Sequence, residues 1–314
     1  MKVTNHAYCL ILLASVALPS VADPGRDRDD GAALRQEVAE LQQQVATLTR
    51  MVNRISSNSV LALDGKLALG LDRQTALFTG VNVQITNGTG GTQTINGVGN
   101  LIIGYDEPNG TINIAGNSYS ALNACSNGQF ANQTACQSAG STWGSNQHTG
   151  SHNLVIGFGQ SYTSYGGMVT GALNVINGEF ANVSGGINNT ASGPLSSTSG
   201  GDFNTANGNF SSVSGGDFNI ASGNFSSVSG GHANRASNDD SSVSGGGENT
   251  ASGQWSSVTG GTTNYAAGPY SSVNGGRLNT AGGYVIGYGS TVSGGSSETQ
   301  INDWGWTGGT YTSP

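Results

Sequence analysis

The chain has 314 residues, with 52 glycines, 6 prolines and only 9% charged residues. Glycine does not recur at every third position and proline is rare, which excludes a collagen helix. The net charge of −8 offers no basic footprint for nucleic acid, and residue columns held in strict register exclude a disordered low-complexity tract.

Residues 1–22 read as a secretory signal peptide: Lys2, an apolar run over 7–18, then Ser20, Val21 and Ala22 at the cleavage positions. The run is shorter than a bilayer-spanning helix, and Cys9 is lost with it. The mature chain is therefore expected to be secreted or on a cell surface, with no integral membrane segment. Residues 23–33 read as a charged linker. Across 34–56, Leu34, Leu41, Leu48 and Ile55 recur every seven residues, with Val38, Val45 and Val52 four after each of the first three. This is the a/d pattern of a coiled coil. The chain holds no second helix to cover that seam, so the seam is expected to pair with copies of itself. Valine at a with leucine at d leans toward two strands, and two or three chains both stay open.

Residues 58–160 read as an irregular β segment that begins the stack. Leu61, Leu63, Leu67, Leu69 and Leu71 alternate around Asp64 and Gly65 as a β-hairpin, continued by Val81, Val83 and Ile85. Leu101-Ile102-Ile103-Gly104 and Leu154-Val155-Ile156-Gly157 look like two copies of one strand. Between them lies a polar insertion, 117–152. Its Cys125 and Cys136, an even pair in an exported chain, read as a disulfide. A metal site shared with His148 and His152 is the alternative, and the spacing of known zinc motifs speaks against it.

Residues 161–298 hold the repeats, with a degenerate first rung at 169–177. From Gly185 a Gly-Gly pair returns every 15 residues, at 200, 215, 230, 245, 260 and 275. Asn189 to Asn279 and Ala191 to Ala281 keep the same step, as does a valine column, Val183 to Val273, broken by Thr198. A fixed short period marks a solenoid. The calcium-binding nonapeptide roll does not fit a period of 15. Ser211 to Ser214 and Asn219 to Ser222 are the strand candidates, with valine and alanine inward and glycines at the turns. The asparagine column suggests side-chain amides bonded rung to rung. A further column, Phe180, Leu195, Phe210, Phe225, Asp240, Trp255 and Tyr270, either tucks under a corner or forms an apolar stripe outside. After the 284–287 stretch and one late rung, residues 299–314 read as a cap carrying Trp304, Trp306 and Tyr311; carbohydrate stacking is the other use for the tryptophans.

The SSVSGG-x2-N-x-A-S-G rung, with a heptad segment in an exported chain, resembles the YadA-like head of trimeric autotransporter adhesins over 165–298. The resemblance implies a left-handed parallel β-roll, three chains side by side, displayed outside the cell for attachment. The step of 15 departs from the family's typical 14. The heptad segment precedes the roll instead of following it, and no C-terminal membrane-embedded strands are recognisable.

The expected fold is all-β, a parallel β-roll with 15-residue rungs preceded by a coiled-coil helix. The expected function is a non-catalytic, adhesin-like extracellular fibre module without cofactor or metal, partnered with itself and with an extracellular glycan or matrix protein. Two other classes compete. A polysaccharide-binding or polysaccharide-cleaving solenoid would use Asp202 and Asp217, one rung apart, although no basic or aromatic cluster attends them in the sequence. An ice-binding protein would use the flat column Ser212, Ser227, Ser242, Ser257 and Ser272.

Overall fold

The computed structural model describes residues 27–56, 66–69, 72–108, 110–130, 132–283 and 288–309. The signal peptide read at 1–22, the Asp64–Gly65 turn, the 284–287 stretch and Tyr311 lie outside the described residues. The chain divides into two compact units, Met1–Val83 and Gln84–Pro314.

In the first unit a helix runs from Asp27 to Ser56. It therefore begins inside the stretch read as a linker. No proline lies between Pro24 and the heptad positions, and the Arg35 Nε donates to the Gly31 carbonyl at 2.8 Å, so nothing breaks the helix between Asp27 and Leu34. A two-stranded antiparallel hairpin, Leu67–Leu69 with Ala76–Phe78, follows. Its turn lies at Asp72, later than the turn read at Asp64. The Asp72 carboxylate accepts the N–H groups of Gln74 and Thr75 and the Thr75 hydroxyl. These bonds hold the carboxyl below its usual range, the Thr75 hydroxyl contributing most. Val81, Val83 and Ile85 do not extend the hairpin; they are exposed and outside any strand.

The second unit is a parallel β-solenoid of about 10 turns with 15-residue rungs. Each rung gives one two-residue strand to a sheet carrying the valines, as in Ser212–Val213, and one to a sheet carrying the alanines, as in Ile220–Ala221. Among the described residues the valine sheet has 12 strands, from Leu101–Ile103 to Trp306–Thr307, and the alanine sheet has 10, from Ser161–Tyr162 to Thr299–Gln300. The two look-alike strands are neighbours, Leu101 pairing with Leu154 and Ile103 with Ile156. The stack thus begins at residue 101, inside the segment read as irregular. The insertion read at 117–152 opens earlier, with the hairpin Thr111–Ile114 and Asn117–Ser120. It closes by Gln147, whose carbonyl accepts the Tyr162 N–H.

The first rungs step by 14 residues: Val155 pairs with Val169, and Val169 with Val183. They are not degenerate; they carry one glycine at the corner, Gly171, where later rungs carry two. The added glycine interrupts pairing, and the strands shorten from five residues (Met168–Ala172) to two. Near the other end Ser272 pairs with Thr291, a step enlarged by four residues.

The asparagine column is bonded rung to rung, as expected, with each side-chain amide reaching the backbone of the next rung. Buried Asn219 accepts the Asn234 N–H on Oδ1 at 2.9 Å, and its Nδ2 donates to the carbonyls of Gly215 and Gly231, both at 2.9 Å. The same three bonds recur at Asn189 and Asn264. An aspartate could accept there but not donate, so the interior of the column requires the amide. Carboxylates stand only at its ends. Asp106 accepts the Gln160 N–H at 2.7 Å, and Glu298 donates its N–H to Asn279 at 2.8 Å.

The interior is thin: valines on one sheet, alanines on the other, and a buried serine column from Ser196 to Ser290. In the last rung Gln300 and Thr307 take the alanine and valine positions and bond to each other at 3.1 Å. That polar pair ends the stack, as a terminal rung facing water requires. Trp304 and Trp306, read as parts of a cap, are 75% and 67% exposed and continue outward columns. Among the described residues the last element is one more rung.

Two tests follow from these contacts. A methyl at Gly201 (φ +81°) would lie 2.0 Å from the Gly216 carbonyl oxygen, whereas one at Gly200 meets nothing within 4 Å. Gly201→Ala should lose more than about 3 kcal/mol in denaturant unfolding, and Gly200→Ala less than about 1. Equal losses would discard the ladder's geometric account. Burial raises the Asp106 carboxyl above its ordinary 3.8, against the opposing pull of the Gln160 N–H and His148. A raised folded value means the fold prefers the protonated form, so this group's contribution is full at low pH and is lost as pH rises through the raised value. Asp106→Asn keeps the bond to Gln160 and should abolish this loss, so that less stability is lost than in the parent chain as pH rises through the carboxyl's raised value; an unchanged pH dependence would refute this.

Candidate binding surface

Two corners join the sheets. At the first, the backbone turns from an alanine strand to the next valine strand through Phe180, Leu195, Phe210, Phe225, Asp240, Trp255 and Tyr270, all at φ between 55° and 59°. The left-handed bend ends the alanine strand and points these side chains outward, which resolves the two readings of this column: the strand starts after the aromatic, and the ring lies outside. The apolar members are 37–59% exposed. Phe210 stacks on Phe225 with centroids 4.9 Å apart, and Trp255 on Tyr270 at 4.8 Å. Asp240 separates the two stacks.

The second corner holds Asp202 and Asp217, which bridge on adjacent rungs. Unlike the sequence reading, the structure surrounds them. Phe203 and Phe218 stack at 5.0 Å, Tyr119 hydrogen-bonds Asp202, and the His232 Nδ1 lies 2.8 Å from the Asp217 carboxylate. Burial, with a smaller push from Asp217, raises the Asp202 carboxyl, although the Tyr119 bond opposes it. Tyr119 comes from the insertion, some 80 residues away in sequence, a contact no local pattern could signal. Among the described residues no group of three or more His, Cys, Asp or Glu could hold a metal ion.

Cys125 and Cys136 form a disulfide, which consumes both thiols and removes the metal alternative. His148 instead stacks on Tyr162 at 4.8 Å and lies 2.9 Å from the Gln160 carbonyl, and His152 contacts the Asn87 N–H and the Thr92 carbonyl. Burial, assisted by Asp106, pushes the Tyr162 phenol up to about 12. Cys125 pairs with Trp143 in a two-stranded ladder, and the helix Gln133–Ser138, capped by Asn132, carries Cys136. The insertion lies against the alanine sheet: Ser161, Thr163 and Val175 are buried there, and the Ser161 hydroxyl accepts the Gln147 N–H. Beside it Leu122, Phe130 and Trp143 face Thr190, Thr205 and Asn207 across a groove of about 340 Å³.

The heptad positions Leu34, Val38, Leu41, Val45, Leu48, Val52 and Ile55 are 45–60% exposed along the helix. No helix among the described residues is long and apolar enough to cross a membrane. The Ser212 column proposed for ice binding is half-buried on the outward side of the valine sheet.

Comparison with known proteins finds no family model that matches the chain and no curated protein that matches it.

The disulfide braces the wall that carries Trp143. Cys125→Ser with Cys136→Ser should loosen that wall while the rungs persist. The expected result is faster amide hydrogen exchange across 122–144, with exchange across 205–281 changed less than about threefold, as for separate cooperative units. Uniform acceleration would make the insertion part of the roll's own stability.

Proposed function

We propose that this chain is a non-catalytic, adhesin-like extracellular fibre module, self-associated through its heptad helix and presenting the solenoid as a repetitive surface. The observation that carries the reading is the choice of residue at the first corner. A left-handed backbone favours glycine or asparagine and is costly for bulky side chains. Yet seven consecutive rungs place Phe, Leu, Asp, Trp or Tyr there, largely exposed. Backbone ease did not select them, and the interior does not use them. A lengthwise apolar stripe of this kind suits contact with something equally long.

The exposed heptad seam supports self-association, since its apolar side chains are 45–60% exposed among the described residues. The YadA-like head resemblance favours three chains and display outside the cell, and the signal-like residues 1–22 favour export. The 14-residue steps at Val155, Val169 and Val183 bring this chain nearer to that family's period than the regular rungs do.

Sedimentation equilibrium of the mature chain should give a multiple of the protomer mass. Leu41→Glu with Leu48→Glu, which leaves the solenoid untouched, should raise the dissociation constant by about a hundredfold or more. A protomer mass for the unsubstituted chain at micromolar concentration would overturn the self-association.

A further inference from the structure

We propose that the aromatic corner of one copy packs, level for level, onto the alanine sheet of a second copy, with Asp240 opposite the neighbour's Arg235. The inference rests on the self-association argued above and names the surfaces and the register it uses.

Both surfaces run along the stack; the corner column is largely exposed, and the alanine sheet's outward positions are half-buried apart from exposed Arg235. On the alanine sheet the outward positions are Thr190, Thr205, Ile220, Arg235, Thr250, Tyr265 and Thr280. Six of the seven are uncharged. The corner column, Leu195, Phe210, Phe225, Asp240, Trp255 and Tyr270, also has a single charged member. The two exceptions have opposite signs and fall in the same rung. Neither forms an ion pair among the described residues, whose ion pairs are His148–Asp106 and His232–Asp217. Arg235 and Arg277 are, moreover, the only Lys or Arg residues after position 84. A cation at the middle of a hydroxyl and apolar face therefore needs a reason, and an anion at the same height on another face supplies it.

That rung is also built differently. Asn238 stands where the flanking rungs have Gly223 and Gly253, and its backbone N–H donates to the Ser241 hydroxyl instead of the next alanine-sheet carbonyl. Its Oδ1 accepts the Asp239 N–H at 2.9 Å. The corner that presents Asp240 is thus held by bonds the other corners lack.

The remaining levels match in polarity. Beside Thr190 and Thr205 the insertion raises the wall of Leu122, Phe130 and Trp143, leaving the groove of about 340 Å³. At those heights the corner offers Leu195 and Phe210. Phe225 meets Ile220 one rung further, and Tyr270 meets Tyr265. A contact between two different faces is heterologous, and rotation about an axis parallel to the stack closes it into a ring with every copy at one height. Sliding by one rung would set Asp240 against Ile220 or Thr250 and leave Arg235 against an aromatic. An unpaired charge buried on apolar surface is costly, so the charged rung specifies register as a buried polar residue does in a coiled coil.

The test uses the mature chain. Arg235→Asp and Asp240→Arg should each raise the dissociation constant by about tenfold or more, and the two together should restore it to within about threefold. Register is read separately by co-expressing single-cysteine variants. Ile220→Cys with Phe225→Cys should give a heterotypic disulfide-linked pair on non-reducing gels, and Ile220→Cys with Phe210→Cys, one rung out, should not. An oligomer without the in-register link, or with both links equally, overturns the packing and leaves self-association standing. A monomer overturns both. Tryptophan fluorescence of the unsubstituted chain with chitohexaose and dextran completes the test. Quenching that is lost in Trp143→Phe, from a chain with no cross-link, would assign the groove to a neutral glycan and overturn the packing.

Discussion

The buried asparagine amide is the contact on which the solenoid depends. Each side chain must reach two carbonyls, one in its own rung and one in the next, while its oxygen holds the following asparagine's N–H. These demands set the pitch, since both acceptors must lie within hydrogen-bond reach of one nitrogen. They also explain the glycine at the corner. The carbonyl of Gly216 approaches Gly201 so closely that no Cβ fits, and the backbone there is left-handed. Column, corner and pitch are one constraint seen from three sides.

Because backbone and amide bonds fill so much of the cross-section, little room remains for apolar side chains. Valine and alanine suffice inside, and each contributes modestly, about 1.5–3 kcal/mol for a buried valine. Along the regular rungs the large apolar residues are consequently outside, at left-handed corners where rings stack from rung to rung, whereas the first rungs still bury Tyr162, Leu173 and Ile176. This inverts the usual arrangement of a globular domain. Recognition is then a property of columns, and a single substituted rung, such as the one with Arg235, Asn238 and Asp240, becomes a landmark along an otherwise uniform surface.

Much of this was legible from residues 185–281. Seven asparagines and seven alanines at one spacing leave no other architecture, and Cys125 with Cys136 identified its own partner. The rung at Val155 and the 14-residue step to the first rung at 169–177 escaped because the double glycine was taken as the mark of a rung, and Gly171 stands singly. The hairpin of Leu67–Leu69 with Ala76–Phe78 was not foreseen, because its turn depends on the Asp72 carboxylate accepting two N–H groups and a hydroxyl and not on an Asp-Gly pair. The neighbours of Asp202 were invisible because Tyr119 reaches that corner through the fold, not through the chain.

Sequence alone determined the existence of a stack, its spacing and which columns face inward, since identical residues at identical steps must occupy identical environments. Tertiary structure decided where the stack begins, how its asparagines bond and which corner holds the aromatics. Those outcomes turn on hydrogen-bond donors meeting acceptors across rungs and on backbone twist at single residues, neither of which a periodic pattern encodes.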